Sequence, residues 1–187
     1  MRIYITGASC AGVTTLGHTL ATLLGVQHVD VDDFYWLPTN PPYTTKRSPD
    51  ERVCLINQTL DDEGWILTGS FDGWGDALIS NADLIMFVTT TTPVRLERLA
   101  KREAQRFGDR LAPSGDMHDI HMAFREWASQ YDNPHFSGRN RQRHEAWLSE
   151  QTATVLRIDG ESTAEIMAAD AIQGISQMQR RIEAGTA

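Results

Sequence analysis

The segment that decides the fold is RIYITGASCAGVTTLG, residues 2–17. The short apolar run at 2–6 reads as a buried strand. Leu16, Leu20, Leu23 and Leu24 then recur at i, i+4, i+7 and i+8, one face of a helix. Between them, Gly7, Ala8, Ser9, Cys10, Ala11, Gly12, Val13, Thr14 and Thr15 have the spacing of a phosphate-cradling turn, G-x-x-x-x-G-K-[ST], with Val13 where the lysine belongs. Such a turn works mainly through backbone. Its glycines let successive N–H groups point inward, and the helix that follows adds the positive end of its dipole. Val13 removes a point charge and leaves that cradle intact. Thr14 stands where a Mg²⁺-binding hydroxyl is expected. The competing reading is a glycine-containing strand-to-helix turn that binds nothing.

Outward from this turn, strand and helix patterns alternate. VQHVDV (26–31), WILTG (65–69), LIMFVT (84–89) and ATVLRID (153–159) read as further strands. Ser48-Pro49-Asp50-Glu51 is a capping box with proline at the first helical position, opening a helix whose apolar face is Val53, Ile56 and Leu60. Thr92-Pro93 opens a long helix through about 107, and a loop follows at 108–118. Ile120, Phe124 and Trp127 mark another helix, a short one is expected near 140–149, and Ser162 with Glu165 makes a second capping box before the last. Strands alternating with helices imply a five-stranded parallel sheet with helices on both faces, a three-layer α/β fold. In such sheets ligands sit at the carboxyl ends of the strands, so function is expected just after residues 6, 31, 69 and 89. The chain is expected to form one domain over 1–187. An acceptor-side loop and helix would span about 34–63, and a lid about 107–139, where the alternation breaks.

A chain of 187 residues with net charge −8 is a poor candidate for a dedicated nucleic-acid or membrane-surface binder. Its two cysteines, Cys10 and Cys54, make no disulfide framework, which suits a reducing cytoplasm, and no signal-peptide pattern precedes the first strand. No apolar run approaches the ~20 residues of a membrane span. Oligomeric state is left open. The pair His118 and His121 has no third ligand nearby to complete a zinc set.

Four further clusters carry chemistry. Asp30, Asp32 and Asp33 end the second strand, opposite the turn, where a carboxylate can deprotonate an acceptor hydroxyl or hold Mg²⁺ through water. Alternation along the strand puts Asp30 and Asp32 on one face and Asp33 past its end. Arg95, Arg98, Arg102 and Arg106 line one face of the long helix, and Arg110 follows it. Arg139, Arg141 and Arg143 form a second basic group, each with a fork suited to phosphate oxygens. Lys46 and Arg47 lie on the acceptor side, where they can bind an acidic substrate, and the aromatics Phe34, Tyr35, Trp36, Tyr43 and Trp74 surround the expected acceptor pocket.

GASCAGVTTLG at 7–17, VDVDDFYW at 29–36, ILTGSFDGW at 66–74 and the arginine-rich helix at 93–107 resemble the P-loop small-molecule kinases of the adenylate kinase, shikimate kinase and nucleoside kinase type. The resemblance covers nearly the whole chain in element order. It implies a P-loop NTPase fold of nucleotide-kinase type, with ATP and Mg²⁺ as cofactors. It implies Mg²⁺-dependent phosphoryl transfer to a small molecule such as a nucleotide, a nucleoside or a similar acceptor. It points to Asp33, then Asp32, as the acceptor-side carboxylate, to Arg102, Arg106 and Arg110 as phosphate clamps, and to Asp72 in the 70–76 loop on the acceptor side. Three positions depart from the family pattern: Val13 for lysine, Cys10 for a common glycine, and Thr68 for an aspartate before the third-strand glycine. The alternative is a nucleotide-binding module, or weak ATPase, without kinase activity because Val13 replaces the lysine.

Overall fold

The computed structural model describes residues 1–71 and 73–185. Five parallel strands form one sheet: β1 (Arg2–Gly7), β2 (Gln27–Asp30), β3 (Trp65–Thr68), β4 (Leu84–Thr89) and β5 (Thr154–Asp159), in spatial order β2-β3-β1-β4-β5. The register sets Ile3 beside Ile66 on one side and beside Leu84 on the other. The strand that leads into the glycine turn is therefore central, with all its ladder groups paired.

Alternation along β1 and β4 divides the core. Ile3, Ile5, Met86 and Val88 face α1 (Val13–Leu24) and α8 (Ala164–Gly185). Tyr4, Ile85 and Phe87 face the other layer, with Ile56 from α3 (Pro49–Thr59), Leu78 from α4 (Asp76–Ile79) and Leu148 from α7 (Arg141–Ser149). Leu16 and Leu20 of α1 are wholly buried, each contributing about 1.5–3 kcal/mol by removal from water. This burial fixes which face of α1 meets the sheet and so where its N-terminus points.

Local signals explain most boundaries. Ser48 and Glu51 form the expected reciprocal cap of α3. Gly25 closes α1 in the left-handed conformation. Two short helices fall within stretches that give no periodic signal: α2 (Asp32–Tyr35) and α4. At α8 the Thr163 hydroxyl accepts from the Ile166 N–H, so the cap sits one residue after Ser162. α5 (Thr92–Phe107) is followed by a 3₁₀ turn, Gly108–Leu111, and by α6 (His118–Ser129). Among the described residues no helix is long and apolar enough to cross a membrane.

Candidate functional site

The turn after β1 is braced from behind. Gly12 holds φ +107° and Cys10 holds φ +62°, so Cys10 keeps the left-handed backbone that a glycine would adopt at lower cost. The Ala11 carbonyl accepts from the Thr90 hydroxyl at 2.9 Å and from Arg98 Nη1 at 3.4 Å. Gly160, just past β5, approaches so closely that a Cβ there would lie 2.3 Å from the same carbonyl oxygen. Arg95, 1% exposed, lies beneath the turn. It donates to the carbonyls of Thr90 and Ala128 and to the Thr92 hydroxyl, and Nη1 reaches the Ser9 carbonyl at 3.5 Å. Arg95 is thus a fastener between turn, α5 and α6, not a free phosphate ligand. Val13 is buried among Ala8, Ala11, Met86 and Val88.

Thr14 and the end of β2 meet across this turn. The Thr14 hydroxyl donates to Asp30 Oδ2 at 2.7 Å, while Asp30 Oδ1 accepts from the Asp32 N–H at 3.0 Å. Asp30 therefore ties the start of α1 to the start of α2. Thr15 is exposed, and its carbonyl accepts from Thr19 within the helix.

The strand alternation expected at 30–33 stops at Asp30, because Asp32 and Asp33 begin α2. Asp32 is reached by water yet crowded by the cleft wall. Desolvation and the neighbouring Asp30 raise its pKa, while Arg139 and Arg102 pull it down. Asp33 is also raised, by desolvation and Asp30, but its opposing influence is His28 and no arginine. The two acids thus differ in their electrostatic neighbours: Arg139 and Arg102 act on Asp32, and His28 acts on Asp33.

Beyond Arg95 and Arg98, which bond backbone carbonyls of the turn, a third arginine reaches it and bonds a side chain there. Arg139 Nη2 donates to Ser9 Oγ at 2.9 Å, its guanidinium lies 5.1 Å from the Trp127 ring centre, and its Nε is buried without a partner. The other candidate cations are engaged elsewhere. Arg102 bonds Glu103 at 3.1 Å. Arg110 grips Asp116 through two bonds at 2.8 and 2.7 Å and reaches Asn40 at 3.4 Å. Arg141 bonds Asp132 at 2.7 Å, and Arg143 donates to the carbonyl of Ser137. Arg106 is exposed, near enough to Cys10 to lower its pKa, which burial raises overall. On the acceptor side Lys46 is exposed, 5.7 Å from the Tyr35 and Trp36 ring centres, and Arg47 donates to the carbonyls of Phe34 and Trp36, fixing its own loop. Asp72 lies outside the described residues. Among the described residues no group of three or more His, Cys, Asp or Glu is arranged for a metal ion.

A residue missed in the sequence completes the cleft. Arg52 of α3 is 5% exposed, with its guanidinium 3.8 Å from the Tyr35 ring centre and 4.9 Å from that of Trp74. It donates to the Arg47 carbonyl at 2.5 Å, its Nε is buried without a partner, and no carboxylate pairs with it among the described residues. A buried guanidinium without a counter-ion is costly, and an anionic ligand removes that cost. The available signal was spacing: Arg52 lies four residues before Ile56 and so shares its buried stripe.

No protein-family model matches the chain. Over 159 residues it is 41% identical to the uncharacterised protein YqaC of Bacillus subtilis (strain 168), covering 84% of this chain and 88% of that protein. The chain belongs to the YqaC family. Among solved structures, a gluconokinase from Sinorhizobium meliloti 1021 matches with a TM-score of 0.62 and 14% identity, covering 100% of this chain and 97% of that one. The shikimate kinase of Aquifex aeolicus vf5 matches with a TM-score of 0.55 and 17% identity, covering 96% and 98%. This YqaC relative therefore has the fold of the P-loop small-molecule kinases.

Proposed function

We propose that the protein transfers the γ-phosphoryl group of ATP to a hydroxyl of a small anionic acceptor, with Mg²⁺ required. The observation that carries this reading is Arg139, a guanidinium bonded to Ser9 of the turn, with an unpartnered Nε and Asp32 within its field. It supplies on the phosphate side the charge that Val13 cannot. Transfer spreads negative charge over the γ-phosphoryl oxygens, and a preorganised cation there lowers the barrier.

The roles of the other residues follow. The turn's backbone and the α1 dipole hold the phosphates. Thr14 and Asp30 offer hard oxygen donors side by side, the set that suits Mg²⁺, which takes one or two protein oxygens and completes its shell with phosphate and water. When bound, the ion neutralises developing charge on the phosphates. Asp32 accepts the acceptor's hydroxyl proton, and its raised pKa keeps it closer to the working range of a base. Arg52 holds the acceptor's carboxylate or phosphate. Residues 107–139 act as the lid and exclude water.

A phosphorylation screen tests this, using sugar acids, ring hydroxy acids, nucleosides and nucleotides, with ADP release as readout. Transfer to at least one anionic acceptor is expected. Asp32→Asn should cut turnover by about 10²-fold or more while nucleotide affinity stays within a few-fold. Burial of Val13 also favours a second reading, a nucleotide-binding module without transfer. Tight Mg²⁺-ATP binding with no transfer to any acceptor would establish it.

A further inference from the structure

Between β1, α4 and α7 lies a cavity of about 270 Å³ on the sheet face opposite α1. Three rings wall it: Tyr4, Phe71 and Trp147, with Tyr4 5.4 Å from Phe71 and 5.9 Å from Trp147 between ring centres. The Tyr4 hydroxyl is already donated to the Gly69 carbonyl, so Tyr4 offers the cavity its ring and not its polar tip. Apolar cavities of about 150 Å³ hold benzene, so this one has room for a ring with a substituent.

Its polar groups are few and specific. His144, 7% exposed, lines the cavity and bonds Tyr131 through Nδ1 at 2.8 Å. Burial pushes the Tyr131 phenol up to about 12, so it keeps its proton, and His144 Nδ1 is its one acceptor among the described residues. Burial, with Arg139 and Arg143 nearby, pushes His144 down to about 3, so the imidazole is neutral and carries its proton on Nε2. That Nε2–H has no partner within the protein among the described residues. Ser70 and Asp76 stand at the cavity's other edge, and Arg143, engaged by carbonyls at 137 and 138, closes one side. Three aromatic walls and a neutral imidazole strip water from a charged occupant, and the described lining carries one acid, Asp76, and one base, Arg143, so it favours neither sign of charge.

We infer that this cavity binds a flat, uncharged ring bearing a hydrogen-bond acceptor, with the ring packed against the wall formed by Tyr4, Phe71 and Trp147 and its acceptor on His144 Nε2–H. This rests on the kinase reading in one respect: the ring is taken as part of the phosphoryl acceptor, because Thr6, beside the glycine turn, and Ser70, just past β3, line the cavity at the carboxyl ends of their strands. The acceptor is then a ring compound and not an open-chain polyol.

Benzamide, cyclohexanecarboxamide and benzoate, titrated into the full chain without nucleotide and followed by ligand-observed NMR, test it. Benzamide has the flat neutral ring and the acceptor, the second probe lacks flatness, and the third adds charge. Benzamide should bind at least ten-fold more tightly than either. Ala146→Trp, at an exposed position on the cavity rim, should weaken benzamide at least ten-fold and leave ATP binding unchanged. His144→Phe, which keeps a ring and removes the donor, should weaken it several-fold. Absence of benzamide binding, equal binding by Ala146→Trp, or equal binding of either control probe would overturn the assignment. Benzamide binding in a protein that fails to bind ATP would sink the kinase reading and leave the cavity standing.

Discussion

The turn at 7–15 and the wall formed by α2 and α3 present opposite electrostatic problems. The turn must attract phosphate without a cation of its own, since Val13 is buried and neutral. The wall holds a cation, Arg52, with no carboxylate partner among the described residues. The turn is completed by a guanidinium from 130 positions away, Arg139 on Ser9. No carboxylate among the described residues completes the wall. The difference teaches which side is preorganised. Thr90, Arg95, Arg98 and Gly160 brace the turn through contacts made entirely within the chain. Arg52 keeps its geometry through two aromatic faces and one backbone carbonyl, and a net charge waits there for a partner.

The strongest break of this comparison removes the imported cation. Arg139→Ala should lower phosphoryl transfer by about 10³-fold, the lower end of the arginine-finger scale, with a much smaller loss of nucleotide affinity. Arg110→Ala and Arg141→Ala should change turnover little, because each guanidinium is committed to a carboxylate at 2.7 Å. Single-turnover measurements on the three variants separate them. Near-normal transfer by Arg139→Ala would show that the turn needs no imported charge.

On the other side, Arg52→Gln should raise the acceptor's KM by roughly 10- to 100-fold, the scale of a lost charge-assisted hydrogen bond, with kcat within a few-fold. The same change should leave the free protein as stable as before, or more so, because it removes a buried charge with no partner. A large loss of stability, with KM unmoved, would make Arg52 a purely structural residue. Steady-state kinetics over acceptor concentration and urea unfolding give the two numbers.

The fold was legible because the sequence carries it in repeated, local signals. Apolar runs at 2–6, 65–69 and 84–89, with glycine or proline at element ends, leave few other arrangements for these strands. The glycine turn was legible for the same reason, being contiguous. The wall was not. Arg52 acquires its meaning from Tyr35 of α2 and Trp74 of the segment after β3, and no spacing rule relates the three. Strand alternation placed Asp30 and Asp32 on one face and Asp33 past the end, but the chain turns into α2 at that point, so alternation stops applying. Likewise Arg95, Arg98 and Arg102 share one helical face, as their spacing implies. Their different distances from the turn give the first a fastening role, the second a contact with Ala11 and the third a partner in Glu103.

The smallest effect concerns Asp32, which sits between the two regions and pays for its position in stability. Its folded-state pKa is raised above the ordinary 3.8, with desolvation first and Asp30 second. A carboxylate shifted upward binds its proton more tightly in the folded than in the unfolded chain. Charged Asp32 therefore destabilises the fold, in full above the raised value and not at all below the ordinary one. Asp32→Asn should accordingly be slightly more stable than wild type near neutral pH, and the gain should fade as pH drops towards the ordinary aspartate value. The carboxylate is accessible to water, which screens the effect and keeps it small. Urea midpoints of both proteins compared across that pH range provide the check. A variant less stable at neutral pH would mean that attraction to Arg139 and Arg102 outweighs burial. Asp32 would then be held ionised by the phosphate side even before any phosphate arrives.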